Sequence, residues 1–119
     1  MKGFIVFAHG SSVESANEAV RAVAAKLAAA GDYLVETAFL DPVRPSLDDA
    51  IAALAARGAA EIVVIPYFLT MGLHLQRDLP RIVSDAARIH KNVRVRIAPP
   101  LDGHPALVEI LLDRARQFA

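Results

Sequence analysis

Residues 61–80, EIVVIPYFLTMGLHLQRDLP, decide the fold of this chain, because a buried strand, a glycine and a histidine follow one another closely there. Residues 62–65 form a continuous β-branched run, which is typical of an inner strand of a parallel sheet that is covered on both faces. Gly72 and His74 come next, and Asp78 with Pro80 is typical of a helix start. We therefore expect His74 near the carboxyl end of a central strand, where open α/β sheets bind ligands.

Chain length and net charge limit the number of domains and the kinds of partner that we expect. The chain has 119 residues, of which 55% are hydrophobic, and Lys+Arg and Asp+Glu number 13 each. A chain of this length buries roughly two thirds of its unfolded surface, so we expect a single domain over residues 1–119. The zero net charge argues against nucleic acid and against an anionic membrane as partners, because both are attracted by a basic field.

The chain contains no cysteine, so metal ligands must be imidazoles or carboxylates and disulfides are excluded. The N-terminus shows no signal-peptide pattern, and no apolar run approaches the roughly 20 residues of a transmembrane helix. We therefore expect a cytoplasmic protein.

Strand-like and helix-like segments alternate four times. Short apolar runs predict strands at residues 3–8, 33–40, 62–65 and 93–97. Apolar residues spaced three and four apart predict a helix after each strand, the last of them reaching the end of the chain.

Three local sequence signals predict where helices begin or end. Ser11 with Glu14, and Ser46 with Asp49, have the spacing of N-terminal capping pairs. Gly31 fits the C-cap of the first helix.

Four βα units with short connections predict an α/β fold with a four-stranded parallel sheet of order 2-1-3-4 and two helices on each face. The first and third strands then lie side by side where the connections diverge, and the crevice at their carboxyl ends is the expected site. The residues that follow the strands at this edge are His9, Ser11, Ser12, Asp41, Arg44, residues 67–74, Asp102 and His104.

His9 and His74 meet at this crevice in the predicted topology. Two neutral imidazoles with open coordination positions either hold cobalt, nickel, iron or zinc loosely enough to pass the ion on, or shuttle protons. The alternative for each is a loop cap that only forms hydrogen bonds. We interpret His90 as a solvated residue at a helix end and His104 as structural.

An apolar loop follows the third strand and includes Tyr67, Phe68, Leu69, Met71, Leu73 and Leu75. It is either a dimer contact or a lining for a flat aromatic ligand, and the alternative is ordinary core beneath a long loop.

Three blocks of the sequence resemble the short sirohydrochlorin chelatases of the class II chelatase superfamily. They are FIVFAHGS at residues 4–11, IVVIPYFLTMGLHLQRDLP at residues 62–80 and, to a lesser degree, PPLDGHPALVEILLDR at residues 99–114. The second block follows the specific pattern P-x-F-L-x-x-G-x-H-x-x-x-D-[IL]-P. The resemblance covers nearly the whole chain.

The resemblance implies insertion of divalent cobalt or iron, or of nickel in related short forms, into sirohydrochlorin or a related tetrapyrrole, without a nucleotide or an organic cofactor. It maps the metal-site histidines onto His9 and His74. It maps a family carboxylate onto Asp41, for which a turn-forming Asp-Pro is the alternative. It also implies a homodimer, because long chelatases contain two such domains facing each other.

The carboxylates of such a substrate need cations or hydrogen-bond donors nearby. Arg44 and Arg77 lie in or after the edge loops, and Ser11 and Ser12 follow the first strand, so these four are the predicted substrate-binding residues. The alternatives are solvated surface charge for the arginines and a helix cap for the serines.

Two other classes of function stay open. A non-catalytic carrier of metal or tetrapyrrole would bind its ligand without accelerating metal insertion. A phosphotransfer enzyme would use His9 as its nucleophile, but Ala8 stands where an arginine is wanted to neutralise phosphate.

Overall fold

The computed structural model describes residues 2–119, in which four strands alternate with four helices. In chain order they are β1 (Lys2–Ala8), α1 (Glu14–Gly31), β2 (Leu34–Phe39), α2 (Leu47–Ala56), β3 (Glu61–Pro66), α3 (Leu73–Ala87), β4 (Arg94–Ile97) and α4 (Pro105–Arg116). The predicted α/β class is confirmed. None of the helices within these residues is both long and apolar enough to span a bilayer.

All four strands are parallel and lie in the order β2-β1-β3-β4, as predicted. β1 and β3 are the inner strands, and their register pairs Ile5 with Val64. Because the strands run in one direction, the segments that follow Ala8, Phe39 and Pro66 all emerge at the same edge of the sheet.

The hydrophobic core lies between the sheet and the helix pair α2 and α3. It is built from alternate strand positions and from one side of each helix, because side chains repeat on one face every 2 residues in a strand and about every 3.6 residues in a helix. Its buried members include Ile5, Phe7, Ala38, Ile62 and Val64 from the sheet and Ile51, Leu54, Leu79 and Val83 from the helices.

The capping pair Ser46 and Asp49 is present at the start of α2, as predicted. The Ser46 hydroxyl oxygen accepts a hydrogen bond from the Asp49 amide at 3.1 Å, and the Asp49 carboxylate accepts one from the Ser46 amide at 3.1 Å. This exchange satisfies two amides that the helix start would otherwise leave without partners.

The prediction for the start of α1 was wrong. Val13 is the N-cap and no side chain caps the helix, so Ser11 and Glu14 do not form a capping box. Glu14 instead pairs with Arg21, and the pKa of this carboxyl is lowered, chiefly by that hydrogen bond.

The end of α1 also differs from the prediction. The left-handed residue is Asp32, with φ 54° and ψ 47°, whereas Gly31 is the last helical residue. A Cβ at Gly31 would collide with the ring of Tyr33, which packs on Phe4 with ring centroids 4.6 Å apart. Gly31 is therefore required for the packing of Tyr33 on the sheet and not for the left-handed turn.

α3 begins at Leu73, with Gly72 as its N-cap, so the predicted helix start at Asp78 and Pro80 was wrong. Pro80 lies inside the helix. It is exposed, so water is able to bind the carbonyl that proline leaves without a helical donor. The earlier start places His74 on the first turn of a helix.

The prediction of two helices on each face of the sheet was wrong for α4. None of its residues is buried, and within residues 2–119 it makes no extended contact with another helix or strand. The radius of gyration is 15.0 Å, compared with about 13.5 Å expected for a domain of this length. α1 packs on β1 and β2 only, so the same face of β3 and β4 carries no helix of the described chain.

Candidate functional site

His9 follows β1 directly and is exposed at the carboxyl edge of the sheet. Its ring packs against Phe68, with centroids 4.6 Å apart and planes inclined at 80°. The next residue, Gly10, has φ +81°, and a Cβ there would lie 2.8 Å from the side chain of Val43. The His9-Gly10 turn therefore needs glycine for both its backbone angle and its close approach to the loop after β2.

A buried asparagine holds the loop between His9 and α1. Asn17 accepts a hydrogen bond from the Ser11 amide at 2.9 Å and donates one to the Ser11 carbonyl at 2.9 Å. The Ser11 hydroxyl accepts from the Val13 amide at 3.0 Å, and Ser12 is exposed. Sequence reasoning missed Asn17, although a polar residue between Ala16 and Val20 on the inner stripe of the helix was a signal for it.

The apolar loop after β3 divides into a buried part and an exposed part. Phe68 is buried in the core, and Met71 and Leu75 pack against that core. Leu69 and Leu73 are 71% and 76% exposed. The base of the loop thus belongs to the core, whereas the exposed Leu69 and Leu73 present an apolar surface at this edge.

His74 is exposed on the first turn of α3, and its Nδ1 lies 2.9 Å from the Arg77 guanidinium. Because a guanidinium only donates, Nδ1 must accept, and the proton of the neutral ring is then on Nε2. A metal that binds Nδ1 has to displace Arg77, and a metal that binds Nε2 requires the proton to move to Nδ1. Arg77 therefore occupies the lone pair that His74 would need in order to bind a metal through Nδ1.

Asp41 and Arg44 follow β2 and are exposed. The Arg44 guanidinium donates to the Asp49 carboxylate at 2.6 Å, which raises the pKa of Arg44. The pKa of Asp49 is lowered, first by the hydrogen bond from the Ser46 backbone and then by that from Arg44. Arg44 is thereby attached to the start of α2 and keeps other N–H donors for a ligand.

The predicted site residues do not share one depression at the carboxyl edge. His9 and Ser11 line one of about 380 Å³, together with Asn17 and residues 67–70. Asp41 and Arg44 line another of about 390 Å³, on the side of α3. His74 and Arg77 line neither and stand on the exposed start of α3.

Asp41 and the two histidines do not form a preformed cluster in this structure, and the role of Asp41 as a metal ligand stays a prediction. Among residues 2–119 there is no group of three or more His, Asp or Glu side chains placed to hold a metal ion. A metal bound by His9 and His74 would therefore take its remaining ligands from water, from a tetrapyrrole or from a second copy.

The other two histidines have structural contacts. His104 is the N-cap of α4, and its Nδ1 accepts from the Ala106 amide at 3.0 Å, in keeping with the structural role expected for it. His90 is half-buried rather than solvated, and its Nε2 lies 3.3 Å from the Asp48 carboxylate.

The fold and the site define an α/β protein with a four-stranded parallel sheet of order 2-1-3-4 and two exposed imidazoles at its carboxyl edge. The family model CbiX matches residues 3–118. The chain therefore belongs to the CbiX family.

Three relatives indicate the range of this family. A sirohydrochlorin cobaltochelatase of Saccharolobus islandicus is 32% identical over 123 residues, which cover 98% of this chain and 95% of the relative. A chloroplastic sirohydrochlorin ferrochelatase of Arabidopsis thaliana is 33% identical over 116 residues, and the chain spans about half of its length (50%). The crystal structure of a cobalamin biosynthesis CbiX protein of Marinobacter aquaeolei matches with a TM-score of 0.86, at 26% identity, over 98% of this chain and 96% of that one.

Proposed function

We propose that the protein inserts a divalent metal into sirohydrochlorin or a related tetrapyrrole without using a nucleotide or an organic cofactor. The observation that carries this proposal is the pair His9 and His74, both exposed at the carboxyl edge of the sheet in a member of the CbiX family. Cobalt and iron are the metals named for the relatives, and nickel is the third candidate.

Two imidazoles suit a metal that is delivered rather than retained. Each neutral ring offers one lone pair, and two such ligands leave coordination positions open for the pyrrole nitrogens of the substrate. Because residues 2–119 supply no cluster of three or more ligands, the ion is held weakly enough to leave. In this proposal His9 and His74 are the metal ligands, and Asp41 is not needed for a first metal contact.

Insertion replaces two pyrrole N–H protons by one metal dication, so the site must also accept protons. When the metal moves from an imidazole to a pyrrole nitrogen, the ring regains a free lone pair beside the nitrogen that is losing its proton. Imidazole exchanges protons near neutral pH, so the same histidine acts first as ligand and then as base. The protons pass to water when the product leaves.

Arg77 couples substrate binding to metal binding in this scheme. Its guanidinium now occupies Nδ1 of His74, at 2.9 Å. A substrate carboxylate is a stronger partner for a guanidinium than a neutral imidazole is, because the hydrogen bond is charge-assisted on both sides. Substrate binding therefore draws Arg77 away and frees the lone pair of His74.

The rest of the edge provides apolar and polar contacts for a flat anionic ligand. Leu69 and Leu73 present apolar surface, and Arg44, Ser11 and Ser12 are the remaining proposed carboxylate contacts. The edge is open on its outer side, so we include in the proposal a homodimer of single-domain chains in the cytoplasm, in which the second copy closes the site.

The experiment is to follow the absorbance spectrum of sirohydrochlorin after adding cobalt, iron or nickel, with and without the protein. We expect faster insertion with the wild type and a loss to the uncatalysed rate for His9→Ala and His74→Ala. His104→Asn is the matched control, because asparagine also caps helices and the substitution lies outside the site. Full activity of a folded His74→Ala variant would overturn the proposal. A spectrum that shifts on mixing without faster insertion would favour a carrier instead.

A further inference from the structure

Asn17 is a buried polar residue next to the candidate site. It is 4% exposed, and among residues 2–119 the only other buried polar or charged residue is Thr37. Burying a carboxamide costs free energy unless hydrogen bonds within the protein replace those that it made to water. The hydrogen-bond partners of Asn17 therefore indicate its role.

The carboxamide of Asn17 binds both backbone polar groups of Ser11. Its Oδ1 accepts from the Ser11 amide and its Nδ2 donates to the Ser11 carbonyl, each at 2.9 Å. Nδ2 also donates to the Glu14 carboxylate, at 3.4 Å. A carboxamide has the donor and the acceptor of a peptide group, so it pairs with Ser11 as a neighbouring strand would. Alanine would make neither of the two bonds to Ser11, and an ionised aspartate would make only the first.

These hydrogen bonds hold the loop and do not cap α1. The N-cap of α1 is Val13, and no side chain caps the helix. A capping side chain binds the free amides of the first helical turn. Asn17 instead reaches back to Ser11, which lies two positions before the N-cap. The segment that Asn17 fixes is therefore the one that leads back to His9.

His9 and Gly10 lie between two fixed points of the backbone. Ala8 is the last residue of β1 and is 5% exposed. Ser11, three residues later, is held by Asn17. Gly10 has φ +81°, and a glycine has access to more backbone conformations than any other residue. If Ser11 is released, Gly10 is free to change conformation and the backbone of His9 is no longer held from its carboxyl side.

We propose that Asn17 is a positioning residue for the metal-binding imidazole of His9, an inference that rests on the proposed function. Asn17 is not itself a metal ligand and acts through the Ser11 backbone. Phe68 packs on the His9 ring, with centroids 4.6 Å apart. One residue thus limits the ring, and the other limits the backbone that carries it. A ligand that is held in place before the metal arrives loses less conformational entropy on binding.

The first test is the affinity for cobalt without sirohydrochlorin, measured by calorimetry. We expect Asn17→Ala to bind cobalt about tenfold more weakly, which is typical for the loss of a residue that orients a metal ligand. Asn17→Asp should also bind cobalt more weakly, although its added negative charge alone would strengthen the binding of a cation. Wild-type cobalt affinity in folded Asn17→Ala, or in Asn17→Asp if the alanine variant does not fold, would overturn the proposal.

Ile51→Val is the matched control for a general loss of stability. Ile51 is completely buried in α2, which begins after the second strand and does not carry either histidine. Removing one buried methylene group should lower the melting temperature, and cobalt affinity should stay at the wild-type value. A loss of cobalt affinity in Ile51→Val as large as that in Asn17→Ala would mean that destabilisation alone weakens the site, and the proposal would fail.

The second test shows whether the effect of Asn17 passes through His9. In a His74→Ala background His9 is the remaining histidine of the pair, so Asn17→Ala should weaken cobalt binding by the same factor as in the wild type. In a His9→Ala background the ligand that Asn17 positions is absent, so the substitution should have no further effect. Equal losses in the two backgrounds would contradict the proposal.

Hydrogen exchange of the Ser11 amide, measured by NMR on the metal-free protein, reports on the loop itself. The Ser11 amide should exchange at least about tenfold faster in Asn17→Ala, because its acceptor is lost. Faster exchange together with unchanged cobalt affinity would show that Asn17 only stabilises the loop, and this result would also overturn the proposal.

None of these experiments measures metal insertion, so the inference and the proposed function can fail separately. If cobalt affinity depends on Asn17 through His9 but the wild type does not accelerate insertion, only the chelatase proposal fails. If His9→Ala weakens cobalt binding and Asn17→Ala does not, only the positioning proposal fails. Unchanged cobalt affinity in His9→Ala would overturn both.

Discussion

The ring of His9 lies against the ring of Phe68 with centroids 4.6 Å apart and planes at 80°. Phe68 is 5% exposed and is itself held edge-on by Phe7, at 6.2 Å. Within residues 2–119 no hydrogen bond to the His9 ring is present, so the hydrophobic core and not a polar partner limits the orientation of this imidazole. The core of the sheet thus continues directly into the proposed metal site.

This contact predicts that Phe68→Leu reduces metal insertion more than it reduces stability. Leucine keeps most of the buried volume, so the free energy of unfolding should fall by about 1.5 kcal/mol or less. Loss of a group that orients a metal ligand typically costs about tenfold or more in metal affinity or activity, and we expect an effect of that size in cobalt affinity, measured by calorimetry. Val83→Leu is the control, because it alters the same core away from His9. An unchanged cobalt affinity in Phe68→Leu would show that the aromatic contact does not position His9.

The hydrogen bond between Arg77 and His74 predicts opposite effects of one substitution on metal and on substrate. In Arg77→Ala the lone pair on Nδ1 of His74 is free, so cobalt affinity without substrate should rise roughly two- to tenfold, the equivalent of one net hydrogen bond. The KM for sirohydrochlorin should rise as well, because a proposed carboxylate contact is lost. Nitrogen NMR of the His74 ring provides a direct check, since the proton should no longer be confined to Nε2.

Arg81→Ala is the matched control for Arg77→Ala. Arg81 lies one turn further along α3 and pairs with Asp85 at 3.5 Å, away from His74. It should leave cobalt affinity, KM and the His74 tautomer unchanged. Weaker cobalt binding in Arg77→Ala would mean that Arg77 supports the metal site instead of competing for it.

A comparison of Gly10 with Gly58 distinguishes the free-energy cost of a positive φ from the cost of a steric collision. Both have positive φ, +81° and +95°, but a Cβ at Gly10 would meet Val43 at 2.8 Å, whereas no atom lies within 4 Å at Gly58. Gly58→Ala should therefore lower the free energy of unfolding by about 1 kcal/mol, the cost of the left-handed backbone alone. Gly10→Ala should cost more and should also lower cobalt affinity, because the His9 turn must move. Urea denaturation measures the first effect, and equal losses in the two variants would contradict the predicted collision.

Sequence patterns predicted the fold correctly where a pattern is compatible with only one kind of secondary structure. The β-branched run at residues 62–65 predicted an inner strand, and the four successive βα units predicted a parallel sheet of order 2-1-3-4, which the structure has. The same reasoning placed His9 and His74 at one edge, because both follow inner strands of a parallel sheet. It could not show that Asp41 stays apart from them, since the distance between two loops depends on packing.

Sequence patterns failed where competing signals were present. The Ser11 and Glu14 spacing matched a capping box, but buried Asn17 binds the Ser11 backbone and Arg21 binds Glu14. Pro80 is typical of a helix start, yet an exposed proline is tolerated inside α3. The prediction of two helices on each face failed for α4, because periodicity shows that one side of a helix is apolar and does not show what covers it.

The N-terminus of α2 gives a prediction about pH. The pKa of Asp49 is lowered from its ordinary value of 3.8 by the Ser46 amide and by Arg44. A carboxyl whose folded-state pKa is depressed stabilises the fold above its unfolded pKa, and this stabilisation is lost as the pH falls through the folded value. Asp49→Asn should therefore melt a few degrees below the wild type at neutral pH. The two melting curves should converge as the pH falls below 3.8.

Arg44→Ala tests which partner of Asp49 contributes more to its lowered pKa, the Ser46 backbone or the Arg44 side chain. The Ser46 backbone is the larger cause of the lowered pKa, so Arg44→Ala should keep most of the difference in stability between neutral and acid pH. Asp113→Asn, which removes an exposed carboxylate on α4, is the control for the loss of one negative charge. Thermal melts by circular dichroism between neutral pH and pH 3 measure all four proteins. If Arg44→Ala removes the pH dependence as completely as Asp49→Asn does, the ion pair and not the cap holds the carboxylate.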